Sequence, residues 1–312
     1  MRIAVIGVGG VGGYFGGHLA AAGEDVLFVA RGAHLAALRQ DGLTVESERG
    51  PLNRLKVAAT DNPAGHGSVD IVMLGVKLWD TEAALAQAKP LVGPQTAIVS
   101  FQNGIESVDR IAAAYGEQAA LGGTCHIAAA IARPGVIAHT GSMARLTFGE
   151  PRGSDQAGGL SPRVEAFAEA CRRAKTFDAV ASPDIRRAIW EKFVFLSSFS
   201  GMTALSRQPI GPIRATEEGR AAFLAALEEV SAIARAQGIA LPPDHAAKAL
   251  AFADSLPAEM KSSMLGDLMR NARLELPWLS GAVAALGRKL GIPTPVHTTI
   301  TAALLPYASP AA

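Results

Sequence analysis

Arg2-Ile3-Ala4-Val5-Ile6-Gly7-Val8-Gly9-Gly10-Val11-Gly12 opens the chain, and its reading decides the fold. A short apolar strand, Ile3–Ile6, runs straight into a G-x-G-x-x-G at Gly7, Gly9 and Gly12. The sequence from Val11 to Ala22 is helix-compatible. Strand, glycine turn and helix in that order form the phosphate-binding corner of a doubly wound α/β sheet. Gly7 permits the tight turn, Gly9 lets the backbone approach a pyrophosphate, and Gly12 lets helix and strand pack closely. The free N–H groups at the helix start then face the phosphate. Gly7, Val8, Gly9, Gly10, Val11 and Gly12 are therefore the first cofactor-binding candidates, set against a tight turn that holds no ligand.

Working outward, short β-branched runs alternate with helical stretches, the signature of βαβ units in a mostly parallel sheet. Strands are expected at Ile3–Ile6, Asp25–Val29, Leu55–Ala58, Ile71–Leu74 and Ala97–Ser100. Ala119–Ala130, Val136–His139, Leu146–Phe148 and Thr176–Val180 follow, with a turn at Pro134-Gly135. Helices fall at about Val11–Ala22, Thr81–Ala88, Ile105–Ala114 and Pro162–Ala174, and Gly149–Ser161 reads as a surface loop. After Ser182 the strands stop. Helices are expected at Pro183–Ser200, Glu217–Gln237, Pro257–Arg273, Pro277–Leu290 and Pro295–Leu305, several with a proline in the first turn. Phe223, Leu227, Val230 and Ala234 share one stripe of the second, which Gly238 stops. The expectation is a Rossmann-type α/β domain over residues 1–182 and an all-helical domain over 183–312.

Composition narrows the function. With 312 residues, 49% of them hydrophobic, the chain can build two cores. Its 29 Lys and Arg against 28 Asp and Glu leave no net field to attract nucleic acid or an anionic membrane. No apolar run is long enough to span a bilayer, and the N-terminal run is too short for a signal peptide. Cys125 and Cys171 stand alone in unrelated contexts, as in a reducing compartment. A cytoplasmic protein, monomer or homodimer, is expected. The scattered histidines lack metal-ligand spacing, so no metal is expected.

Further candidates lie where strands end. NAD sites usually place a carboxylate after the second strand, but no acid occurs from Val26 to Gln40. Arg31 stands there instead and can pair with a 2′-phosphate, which favours NADPH. Lys77, in Gly75-Val76-Lys77-Leu78-Trp79, and Asn103, in Gln102-Asn103-Gly104, follow strands and can contact a small anion or a nicotinamide. Read singly, each is equally a surface lysine or a turn-forming Asn-Gly. His126 reads as a structural histidine. Lys192 lies among aromatic and aliphatic residues from Ile189 to Leu196, where loss of solvent suits a proton donor. The alternative is a snorkelling lysine paired with Glu191. Glu275, in Arg273-Leu274-Glu275-Leu276-Pro277-Trp278, is equally open in role, and could be a carboxylate answering a helix start.

The order of these segments resembles the ketopantoate reductase (2-dehydropantoate 2-reductase) family. The resemblance runs through the glycine turn with Arg31, Val76–Trp79, Gln102–Gly104 and Arg133-Pro134-Gly135. It continues through Ile189-Trp190-Glu191-Lys192, Ser262–Asp267, Glu275-Leu276 and Gly291-Ile292-Pro293-Thr294-Pro295. It implies NADPH-dependent reduction of a small-molecule 2-oxo acid, ketopantoate, to pantoate in pantothenate biosynthesis. Carried onto this chain, it implies that Lys192 is the general acid and that Glu275 binds the substrate hydroxyl. Ser263 would bind the substrate carboxylate, Asn103 would sit near nicotinamide and substrate, and Lys77 would hold carboxylate or cofactor. Three positions depart from the family pattern. Leu196 and Ser200 stand where asparagines often follow the lysine, and Pro277 where an aspartate often follows the glutamate. Other readings are a reductase of another branched 2-oxo acid, a 3-hydroxyacid dehydrogenase, and a non-enzymatic NADP-binding regulator.

Overall fold

A computed structural model describes residues 1–152 and 159–309. They form two compact units, residues 1–102 with 106–188, and residues 103–105 with 189 onward.

The first unit runs β1 (Arg2–Ile6), α1 (Gly10–Ala21), β2 (Asp25–Val29), α2 (Gly32–Gln40), β3 (Leu43–Glu46), β4 (Leu52–Leu55) and β5 (Ala58–Thr60). It continues with β6 (Ile71–Leu74), α3 (Thr81–Ala88), β7 (Ala97–Ser100), α4 (Ser107–Tyr115), β8 (Ala120–Arg133), β9 (Val136–Gly149), α5 (Pro162–Ala174) and β10 (Asp178–Ala181). The strand order is β4-β3-β9-β8-β7-β6-β1-β2-β5, with β10 also against β9. From β8 to β5 every pairing is parallel. The β6 and β7 strands are buried at every residue, and β1 and β2 at all but the first. That explains their unbroken apolar runs, because such strands are covered on both faces. The chain leaves β1 for β2 on one side and later returns to β6 on the other. This reversal of strand order is where open α/β sheets bind ligands.

β8 and β9 form a long antiparallel ribbon, turned at Pro134-Gly135, with β3 and β10 parallel to β9 on its flanks. The glycines of α1 let it lie between this ribbon and the parallel sheet. A Cβ on Gly16 would come within 2.8 Å of Val5, one on Gly13 within 2.7 Å of Ile137, and one on Gly17 within 2.7 Å of Leu43. Gly12 to Leu19 are buried without a break, so α1 has no solvent face.

Several expectations shift. Val136–His139 and Leu146–Phe148 belong to one strand, and the strand expected at Leu55–Ala58 straddles the gap between β4 and β5. Neither β3 nor α2 is foreseen, since α2 opens without a capping side chain or an acid in its first turn. Of the surface loop expected at Gly149–Ser161, residues 153–158 lie outside the described residues.

The second unit is helical, with no strand among its described residues. The break expected after residue 182 falls between 188 and 189, inside α6 (Ile185–Ser206). Then come α7 (Ile210–Ala215), α8 (Glu217–Ala236), α9 (His245–Ser255), α10 (Ser263–Met269), α11 (Ser280–Leu290) and α12 (Pro295–Leu304). The stripe Phe223, Leu227, Val230 and Ala234 is fully buried, and α8 packs against α7, α9, α11 and α12. Thr216 caps its start by accepting from Gly219 N at 3.1 Å. Glu229 reaches from α8 to the start of α12, accepting from Val296 N at 2.7 Å and His297 N at 3.0 Å.

The helix expected over Pro257–Arg273 is only α10. Its start is fixed by Ser262, whose Oγ accepts from Leu265 N at 3.0 Å, rather than by Pro257. A 3₁₀ turn, Leu276–Trp278, precedes α11 and moves its start from Pro277 to Ser280. Among the described residues no helix is long and apolar enough to cross a membrane.

Candidate active site

Within the first unit, three of the turn glycines are explained by the chain itself. Gly7 has φ +93°, and a Cβ there would sit 2.6 Å from Val76; on Gly10 it would lie 2.0 Å from the Ala129 carbonyl oxygen, and on Gly12 2.1 Å from that of Gly7. Gly9 differs. Its φ is −80°, which any residue adopts, and the nearest atom to an added Cβ is 3.9 Å away. Neither backbone strain nor packing within the chain asks for glycine there. Gly9 caps α1 without a side-chain bond, and no acid lies in the first turn. The first N–H groups of α1 are thus left to an anion, which the helix dipole favours. The open space at Gly9 fits close approach of a pyrophosphate to the backbone. Val8 is core and can meet a ligand only through its backbone, while the half-buried Val11 packs against the same cluster.

Arg31 follows β2 at the N-cap of α2, and its exposed side chain lies 3.8 Å from Asp80. Lys77 is exposed, its ammonium 5.6 Å from the centre of the Trp79 ring. Gln102, singled out only as a neighbour of Asn103 in the sequence, ties this edge together. Its amide donates to the Val76 carbonyl at 3.1 Å and to Thr81 Oγ1 at 2.9 Å, and its oxygen accepts from Ser100 Oγ at 2.9 Å. The signal available was a polar residue directly after an apolar strand. His126 is half-buried on β8, opposite Arg145.

In the second unit, three expected residues meet. Lys192, half-buried on α6 between the buried Trp190 and Phe193, donates from Nζ to Asn103 Oδ1 at 3.1 Å. Asn103 donates from Nδ2 to Glu275 Oε2 at 3.3 Å. Glu275 is 5% exposed at the start of the 3₁₀ turn. A carboxylate this buried needs donors, and Asn103 is one. One amide thereby orients an ammonium with its oxygen and a carboxylate with its nitrogen. The turn that presents it is made by Gly104, at φ +91°.

Ser263 joins the trio by none of these bonds. It is the exposed first residue of α10, next to Ser262, which accepts from Thr203 Oγ1 at 2.7 Å. Lys192, Leu196, Phe199 and Thr203 follow one another at helical spacing on α6. Between the lysine and the serines this stripe is therefore apolar. Leu196 is half-buried, Ser200 is fully buried, and Pro277 is an exposed member of the 3₁₀ turn.

Comparison with known proteins settles the family. Residues 3–153 match ketopantoate reductase PanE/ApbA, and residues 184–308 match its C-terminal domain. The chain belongs to the ketopantoate reductase family. A 2-dehydropantoate 2-reductase of Mesorhizobium japonicum is 33% identical over 97% of this chain and 96% of its own length. An uncharacterized oxidoreductase of Bacillus subtilis, YkpB, is 31% identical over 98% and 99%. The crystal structure of a 2-dehydropantoate 2-reductase from Geobacter metallireducens superposes with a TM-score of 0.88 at 30% identity, covering 98% of this chain and 99% of that one. The ketopantoate reductase fold is a dinucleotide-binding oxidoreductase fold, an N-terminal sheet domain followed by a helical one. This protein is an oxidoreductase of that family.

Proposed function

We propose that the protein reduces a 2-oxo acid to the 2-hydroxy acid with NADPH, 2-dehydropantoate to pantoate foremost, as a cytoplasmic step of pantothenate synthesis. The observation that carries this reading is the bonded trio Lys192–Asn103–Glu275. A bound nicotinamide supplies the hydride. Gly9 to Gly12 hold the pyrophosphate through N–H groups, Arg31 pairs with the 2′-phosphate, and Lys77 and Asn103 line the nicotinamide end. Lys192 stabilises charge growing on the substrate carbonyl oxygen and then gives it a proton from Nζ. Asn103 keeps that ammonium aimed, Glu275 accepts from the substrate hydroxyl, and Ser263 donates to the substrate carboxylate.

The test is steady-state NADPH oxidation with ketopantoate beside smaller and larger 2-oxo acids, for wild type and Lys192→Ala. General acid catalysis contributes about 10²–10⁴ in rate, so kcat should fall by that factor. A variant that keeps wild-type kcat removes Lys192 from the role of general acid.

One observation favours a second reading with the same chemistry. Leu196 occupies the stripe beyond Lys192 and cannot bond a hydroxyl, which suits a branched 2-oxo acid with an apolar tail. Loss of one hydrogen bond to a charged group changes affinity by roughly tenfold to a hundredfold. Leu196→Asn should shift kcat/KM toward ketopantoate. A wild type already selective for ketopantoate, with no shift in the variant, rejects the second reading.

A further inference from the structure

The second strand ends without a carboxylate, yet the fold brings one to that place from elsewhere. Asp80 Oδ2 lies 3.8 Å from Arg31 Nη2. It arrives through space, from the end of the 3₁₀ turn Leu78–Asp80 that follows β6. Asp80 is also the N-cap residue of α3, a position where an aspartate ordinarily accepts from a backbone N–H, and it makes no such bond. Its carboxylate forgoes the local cap and faces a guanidinium whose side chain is 76% exposed. That guanidinium stands at the end of β2, where sheets of this kind discriminate between ribose and ribose phosphate.

We propose that Asp80 is a specificity-determining residue of the cofactor site, weakening the hold of Arg31 on a 2′-phosphate and letting the unphosphorylated dinucleotide compete. The inference rests on the assignment of Arg31 to the 2′-phosphate made above. Two effects act in the same direction. A phosphate monoester carries nearly two negative charges near neutral pH, so it is repelled by Asp80 and must share Arg31 with it. A free ribose hydroxyl has no charge to repel and can donate to the carboxylate instead. Both side chains are solvated, so the effect is moderate. Unit charges about 6 Å apart in water-like surroundings change an equilibrium roughly threefold, and a doubly charged phosphate roughly tenfold.

The experiment is fluorescence titration of the purified protein with NADPH and with NADH, for wild type, Asp80→Asn and Asp80→Ser. Serine is itself a favoured N-cap residue and guards against loss of folding. NADPH should bind about threefold to tenfold more tightly to both variants, and NADH equally or more weakly. The gain should shrink as salt is raised, because the charges are exposed. An NADPH/NADH preference that stays constant or falls overturns the proposal, since Asp80 would then be a bystander or an aid to Arg31. Arg31→Ala separates the two readings. If NADPH affinity is unchanged in that variant, the assignment of Arg31 has failed. If it collapses while Asp80→Asn leaves the preference unmoved, only the role of Asp80 has failed.

Discussion

Asn103→Ala removes both bonds that hold the proposed catalytic trio, and its consequences can be worked from the distances. The Lys192 ammonium loses an acceptor at 3.1 Å and the Glu275 carboxylate a donor at 3.3 Å. Water can replace the first, because Lys192 is half-buried. It replaces the second poorly, because Glu275 is 5% exposed. A hydrogen bond to a charged group contributes about 1.5–3 kcal/mol. The longer Glu275 contact belongs at the low end, so the fold should lose about 1.5 kcal/mol and melt a few degrees lower. The larger effect is on rate. An ammonium released from its amide spends less time aimed at a carbonyl oxygen, and 1.5–3 kcal/mol of lost alignment lowers kcat roughly tenfold to a hundredfold. The assay is NADPH oxidation under saturating substrate, repeated in a Lys192→Ala background. If Asn103 acts through Lys192, its removal from that background should lower kcat no further than about twofold. Two substitutions that multiply to their full product would refute the reasoning and make Asn103 an independent contributor.

Gly9→Ala should leave the melting temperature unchanged, since an added Cβ finds nothing closer than 3.9 Å, yet weaken dinucleotide binding by about tenfold or more by filling space at the phosphate. Gly10→Ala should instead destabilise the fold by about 1–3 kcal/mol, driving its Cβ to 2.0 Å from the Ala129 carbonyl oxygen. Equal affinity in Gly9→Ala, measured by fluorescence titration, removes the phosphate from that corner. Acid should destabilise the protein through His18 and His297, each lowered from 6.5 to about 4, His18 by burial and then by His139, His297 by burial against the opposing bond to the Ala226 carbonyl. A folded value below the unfolded one means the stabilisation is whole above about pH 6.5 and drains away toward pH 4, by roughly 2–3 kcal/mol for each histidine at pH 4.5. His297→Gln should flatten the dependence of melting temperature on pH, and an unaltered slope excludes His297 as a source of it.

The sequence made most of the parallel sheet legible. β2, β6 and β7 coincide with their apolar runs, and β1 and α1 begin one residue earlier than expected, because strands buried on both faces and a glycine turn are local signals. Local signals were too weak for α2, which lacks a cap, and for β3 and β4, which are short and half-exposed. The Pro257 helix failed for a related reason: a proline permits a start, but Ser262 fixes one. The candidate site shows a sharper division. Lys192 and Glu275 were readable as residue types with open roles. What joins them is Asn103, which lies 89 residues from one and 172 from the other along the chain. The partnership of Arg31 and Asp80 was hidden in the same way, since a search for acids near Arg31 in sequence cannot see one delivered from beyond β6, two strands away in the sheet.

The glycine helix α1 leads to a prediction about the order of assembly. Five of its twelve residues are glycine, and each is about 1 kcal/mol less favourable in a helix than alanine. Alone, α1 is an unwound tether. Its partners Ala129 and Ile137 belong to the ribbon β8–β9, synthesised long after it. A nascent chain halted before residue 120 should therefore leave the first turn of α1 open to hydrogen exchange and bind no dinucleotide. Emergence of the complete ribbon should close it. The glycine corner, which precedes the ribbon in the chain, would then be among the last parts of its domain to take shape, and protection of those amides before the ribbon exists would disprove that order.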